Sequence, residues 1–245
     1  MLAEGAASPA DVVLTVDIGR LRQYADKNLF SPFRSEKLRS VIPSHLRSKD
    51  DTWFGFSKRS RVIAVSKSLV GKDQISRFED LAEVKWAGKI CSRPGSHVYN
   101  RALLSSIIEA NGFDAAQAWA KGLVSNLARS PRGNDRAQVK AIFAGECEIT
   151  IINHYYYGKL IRSSNPDEQK WAESVDIIIP NQGELDRGAH INISGGGIAK
   201  HAKNRTEAEQ LLEFLVSEQA QKLYASVNFE YPVTSNVQLP AVLTK

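Results

Sequence analysis

The chain has 245 residues, 42% of them apolar and 24% charged, with 32 Lys plus Arg against 27 Asp plus Glu, a net charge of +5 and a pI near 9.1. At about 150 residues per domain, that is ample for a large hydrophobic core and too apolar for a disordered chain. No apolar run approaches the ~18 residues that span a bilayer. The positive excess is scattered, densest at Lys58, Arg59 and Arg61, which falls short of a nucleic-acid stripe. Residues 1–9 show neither a cationic nor an apolar leader segment, so either the protein is cytoplasmic or its head is missing. No period of 20 to 50 residues repeats.

In chain order, Asp11–Val16 reads as a strand buried on both faces, followed by a helix through Leu21 and Tyr24. Arg61–Val65 is a second strand, entered from the aromatic stretch Trp53–Phe56, and Lys89–Cys91 a third. Between them Phe78, Leu81 and Ala82 recur at helical spacing. A helix over 99–110 presents Leu103, Leu104, Ile107 and Ile108 and stops at Asn111-Gly112; another resumes with Asp114 and Gln117 at its start. Asp135 to Phe143 is helical, Ile149–Ile152 is a strand, and Asn153 is expected to cap a short helix. Val175–Ile179 and Ile191–Ser194 complete the strands, and Thr206 with Glu209 reads as a capping box. Alternating strands and helices predict an α/β protein with mostly parallel sheets.

Ser194-Gly-Gly-Gly197 lacks the spacing of a phosphate loop. Ser130–Asp135 leads into a helix N-terminus, where free amides favour an anion, but a plain turn with an Asp cap accounts for it equally. No Gly-x-Ser-x-Gly elbow is present, and neither Cys91 nor Cys147 has an adjacent histidine to make it a nucleophile. Two cysteines are either buried thiols or one disulfide. Cys91 ends one strand and Cys147 precedes another, so adjacent parallel strands would bring them within bonding range.

The anomaly is Asn153-His-Tyr-Tyr-Tyr-Gly158, three tyrosines directly after an apolar strand. Residues past a strand's carboxyl end face the ligand crevice of open α/β sheets; the competing reading is a packing patch of large rings. A phenol titrates near 10, so only a hard, highly charged ion such as Fe3+ removes its proton comfortably.

The segments Pro9–Asp17, Trp53–Arg61, Ser96–Asn100, Gly133–Asp135, Gly145–Glu148, Asn153–Gly158 and Gly188–Gly195 occur in an order that resembles the periplasmic ferric-ion-binding proteins of bacterial ABC iron importers. The resemblance runs from about Ser8 to Pro232. It implies a two-lobed type II periplasmic-binding-protein fold with hinge strands. The expected division is 1–61 with 186–236 as the first lobe, and 62–185 with 237–245 as the second lobe carrying the tyrosines. The first lobe is expected to lack its opening strand, since the family's opening strand and its His-Tyr pair have no counterpart here.

By the same resemblance Tyr99, Tyr155 and Tyr156 are the iron ligands, and Tyr157 falls where the family varies. Arg59, with Arg61 as fallback, is placed to steady an anion, a task suited to a permanently charged planar fork. Asp17 lies near an acidic ligand position, although a helix cap accounts for it better, and His97 and Asn153 are expected beside the ligands, with His97 and His154 exposed. The implied function is non-enzymatic: a monomeric periplasmic receptor that captures Fe3+, with an anion such as carbonate or citrate, and delivers it to an inner-membrane ABC permease. The rivals are a receptor for an anionic organic solute or a phosphate-like anion, held by Arg59 and the Ser130–Asp135 loop, and a transferase of similar architecture such as the porphobilinogen deaminases, whose cofactor-bearing cysteine has no match here.

Overall fold

The computed structural model describes residues 1–243. The chain forms two compact units, Met1–Arg59 with Asn192–Lys245, and Ser60–Ile191. These limits differ from those read from the sequence. Residues 237–243 group with the first unit, because strand β8 (Tyr231–Pro232) pairs with Ser57 and Lys58 and the amide of Val233 donates to Gln221 at 2.8 Å. The last two residues of the expected 237–245 segment lie outside the described residues.

In the first unit, β1 (Val12–Val16) leads into α1 (Ile18–Asp26), β2 (Phe30–Ser31) and α2 (Glu36–Val41). β3 (Phe54–Ser66) then carries the chain into the second unit. The return is made by β7 (Ile191–Ala199), α8 (Arg205–Phe214) and α9 (Glu218–Leu223). β7 pairs antiparallel with β1, from Val12↔Ile198 to Val16↔Ser194, and with β2. Leu21, Phe30, Leu38, Phe54, Phe56, Ile193 and Leu212 form the core. β1 is not buried on both faces as expected: it pairs only with β7 among the described residues, and Leu14 is 53% exposed.

The glycine run lies within β7. A Cβ on Gly195 or Gly196 would overlap the carbonyl oxygens of Phe54 and Val13, so these glycines serve close strand passage rather than a phosphate loop. The expected capping box at Thr206 is also absent, because the N-cap of α8 is Asn204, two residues earlier, and Arg205 pairs with Glu209 at 2.8 Å.

The second unit holds β4 (Ile90–Cys91), α3 (Val98–Asn111), α4 (Phe113–Ser125), α5 (Asp135–Phe143), β5 (Ile149–Asn153), α6 (His154–Ile161), α7 (Pro166–Glu173) and β6 (Val175–Ile178). Phe78, Leu81 and Ala82 mark only a short 3-10 turn, Glu79–Ala82. β3 pairs antiparallel with β5 and β6, and its alternation divides the core. Ile63 and Val65 face a cluster with Trp86, Leu103, Ile107 and Trp119; Val62 and Ala64 face one with Val139, Ile142, Leu160 and Val175.

The expected mostly parallel sheet is corrected: β1 and β2 pair antiparallel with β7, and β5, β6 and β8 antiparallel with β3, while β4 and β5 form a parallel strand pair flanked by a parallel bridge between Ile90 and Leu127. Neighbours in the sheet come from distant points of the chain, and sequence alternation does not reveal their direction. The parallel pair sets Cys91 beside the start of β5, and Cys91 and Cys147 form a disulfide with their Cα atoms 5.7 Å apart.

Candidate metal centre

Two helix starts in the second unit bring the tyrosines together. Tyr99 sits in the first turn of α3, whose cap is His97: the imidazole Nδ1 accepts the Tyr99 amide at 3.2 Å, and the two rings stack edge to face at 4.6 Å. Tyr155 and Tyr156 occupy the first turn of α6, immediately past the end of β5. The phenol oxygens of Tyr99 and Tyr155 are 3.2 Å apart, and the Tyr155 and Tyr156 rings lie 4.4 Å apart at a 35° tilt.

Asn153 is the N-cap residue of α6, as expected, but its side chain makes no capping bond. Its amide nitrogen instead donates to the Tyr155 hydroxyl at 3.4 Å and its oxygen accepts from Arg61 at 3.3 Å. Tyr157 turns away into the apolar cluster of Val139 and Leu160. His154, expected to be exposed, is buried, with Nδ1 accepting the Ser60 amide at 3.0 Å.

Electrostatics set the chemistry of these phenols. Burial raises the Tyr155 pKa above its ordinary value, and the neighbouring Tyr99 and Tyr156 raise it further. A metal that takes Tyr155 as a phenolate must therefore displace its proton. Cations surround the rings: Arg93 and Arg61 lie 5.0 and 5.9 Å from the Tyr99 centroid, Lys159 5.4 Å from that of Tyr155, and Arg136 6.0 Å from that of Tyr156. Such a field favours negative charge on the oxygens. Among the described residues no group of three His, Cys, Asp or Glu side chains forms a competing metal cluster.

Beneath Tyr99 lies a buried ion network. Asp135 accepts from Arg61 at 2.9 Å, from Arg93 at 2.7 Å and from the Asn153 amide at 2.8 Å. Arg61 also donates to Asn100 at 3.0 Å and to the Ile151 carbonyl at 3.1 Å. The sequence reading missed Arg93, Asn100 and the role of Asp135. Asp135 stood in the Gly133–Asp135 segment but was taken for a cap; the cap is Asn134, which accepts the Ala137 amide at 3.0 Å. Asp135 points inward, where Arg61 and Arg93 pair with it.

The remaining expected residues belong to the first unit. Asp17 adopts φ 84° and caps α1, accepting from Gly19 at 2.9 Å and from the Asn192 amide at 2.9 Å. Arg59 is buried and donates to the Ile193 carbonyl at 3.2 Å. Arg61, in the second unit, has its guanidinium 5.9 Å from the Tyr99 ring centroid.

Residues 7–245 match the bacterial extracellular solute-binding protein family. The chain belongs to that family. It is therefore a member of a receptor family, not an enzyme family, and its fold is that of the two-lobed periplasmic binding proteins. It is 47% identical over 237 residues to iron uptake protein A1 of Synechocystis sp., covering 97% of this chain and 65% of that protein. The chain thus spans just under two thirds of that relative's length. Among solved structures, it resembles the Trichodesmium protein IdiA (FutA) in complex with iron and citrate, with 48% identity, a TM-score of 0.93, and 98% of this chain and 76% of that one covered. The ferric binding protein from Campylobacter jejuni gives 40% identity and a TM-score of 0.94, covering 99% and 76%.

Proposed function

We propose that this solute-binding protein takes ferric iron as its ligand, through the phenolates of Tyr99, Tyr155 and Tyr156. The observation that carries the reading is the approach of the Tyr99 and Tyr155 hydroxyl oxygens to 3.2 Å, drawn from helices more than fifty residues apart in sequence. Two hydrophobic rings need not meet oxygen to oxygen for packing alone. A hard trivalent ion is the partner that repays deprotonating the Tyr155 phenol, whose acidity is suppressed by burial. Relatives named for iron uptake, and a structural neighbour holding iron and citrate, support the same ligand.

An anion such as citrate or carbonate completes the coordination, favoured by the guanidinium-rich surroundings. The receptor works as a monomer in the periplasm and hands its iron to an ABC permease of the inner membrane. Ferric citrate titration tests the reading. A purple to red phenolate-to-iron band should appear with one iron per chain, vanish in Tyr155→Phe and Tyr156→Phe, and persist in Tyr157→Phe. A colourless wild-type mixture, or a band lost only with Tyr157, would sink it.

A further inference from the structure

We propose that Asp135 is a positioning residue for this centre: its carboxylate clamps Arg61 and Arg93 against Tyr99 and the start of α6, fixing where the phenols meet and how much positive charge lies beneath them. The proposal rests on the iron reading above and assigns to Asp135 a part that neither the family nor the relatives' names supply.

Three observations carry it. Asp135 is fully buried, and Asn134 already caps α5, so capping does not explain an inward carboxylate. A buried charge of this kind persists only where it is paired and hydrogen-bonded. Its three donors come from three places: β3 through Arg61, the segment after β4 through Arg93, and the β5–α6 junction through the Asn153 amide. Arg61 extends the reach to Asn100, next to Tyr99, while Asn153 extends it to the Tyr155 hydroxyl. One carboxylate thereby ties together both helix starts that bear tyrosines.

The charge balance gives the clamp a second consequence. Two guanidiniums share a single carboxylate, so one net positive charge sits below the Tyr99 ring, where Arg93 is 5.0 Å from the centroid. Without the carboxylate, the two arginines would face each other uncompensated.

The test compares the 245-residue chain with Asp135→Asn, Asp135→Glu and Arg93→Gln by citrate-competed ferric titration and visible spectroscopy. Folding is checked by near-ultraviolet circular dichroism. Asp135→Asn should bind iron about 10- to 100-fold more weakly, the usual range when a partner of a metal ligand's surroundings is lost. Its charge-transfer band should move to shorter wavelength, because added positive charge beneath the ring stabilises the phenolate donor more than the more distant iron. Arg93→Gln removes one positive charge and should move the band to longer wavelength, while Asp135→Glu should recover part of the affinity.

Folded Asp135→Asn with wild-type affinity and band position would overturn the proposal, as would shifts of the same sign in Asp135→Asn and Arg93→Gln. If Asp135→Asn does not fold, Arg93→Gln decides: an unmoved band overturns the proposal and a shift to longer wavelength supports it. A wild-type chain without any band defeats the iron reading and this proposal with it; a wild-type band with unmoved variants defeats this proposal alone.

Discussion

Asp17 and Asp135 are both buried aspartates at the starts of helices, each near a buried arginine, and for both the sequence offers a helix-cap reading beside a ligand-binding one. Their surroundings differ in kind. Asp17 spends its oxygens on the Gly19 amide and the Asn192 side chain, and Arg59 bonds the Ile193 carbonyl. Asp135 accepts from two guanidiniums, which in turn flank an aromatic ring. The same residue type thus closes a helix in one unit and organises a polar centre in the other. The difference lies in which non-local side chains arrive at it.

Four expected outcomes sharpen that contrast. The largest concerns the Cys91–Cys147 disulfide of the second unit. Replacing Cys91 and Cys147 by serine opens a link between residues 56 apart and should cost about 3–4 kcal/mol in urea unfolding. A loss below 1 kcal/mol would show that β4 and β5 hold without the staple.

Next, Gly196→Ala drives a methyl group into the Val13 carbonyl and should destabilise the chain by about 2–3 kcal/mol. Because this strain falls on the β1–β7 pair of the first unit, the ferric band maximum should stay where it is. A displaced maximum would show that the tyrosine centre senses the first unit's sheet.

The third expectation is an acid response of the second unit. Burial pushes Glu79 up, but hydrogen bonds from Asn181, Arg187 and Asn111 outweigh it and bring its pKa to about 2. A depressed carboxylate stabilises the fold above its unfolded pKa near 4.5, and that contribution fades as pH falls toward 2. With allowance for partial exposure, Glu79→Gln should remove about 1 kcal/mol at pH 7 and little at pH 2, as read from melting curves at both values. Equal losses at the two pH values would contradict the assignment.

The smallest effect should come from Asp17, whose shift has the opposite sign. Burial raises its pKa, opposed by the Gly19 amide and Arg59. Its stabilising contribution is therefore full below the unfolded value near 3.8 and lost as pH rises through the folded value. Asp17→Asn should change stability by less than about 1 kcal/mol at pH 7, and should remove the relative gain that the wild type shows on mild acidification. Iron affinity should be unchanged; a ten-fold fall would make Asp17 part of the iron site and erase the contrast with Asp135.

Much of the local structure is set by neighbours in the chain. The apolar spacing of Leu103 and Ile107 suffices to announce α3, the β-branched run Ile149–Ile152 announces β5, and a tyrosine pair one step past that strand marks a helix start at a strand end. The ordered segments around those tyrosines were enough to suggest the family. Strand direction, the seating of the glycine run in β7, the Cys91–Cys147 bond and the pairing of Arg61 with Asp135 were decided only by the tertiary fold. Periodicity reports which face of an element is apolar, over a few residues. It carries no information about which distant element lies against that face, and Asp135 acquires its partners from residues 42 and 74 positions before it and 18 positions after it in the chain.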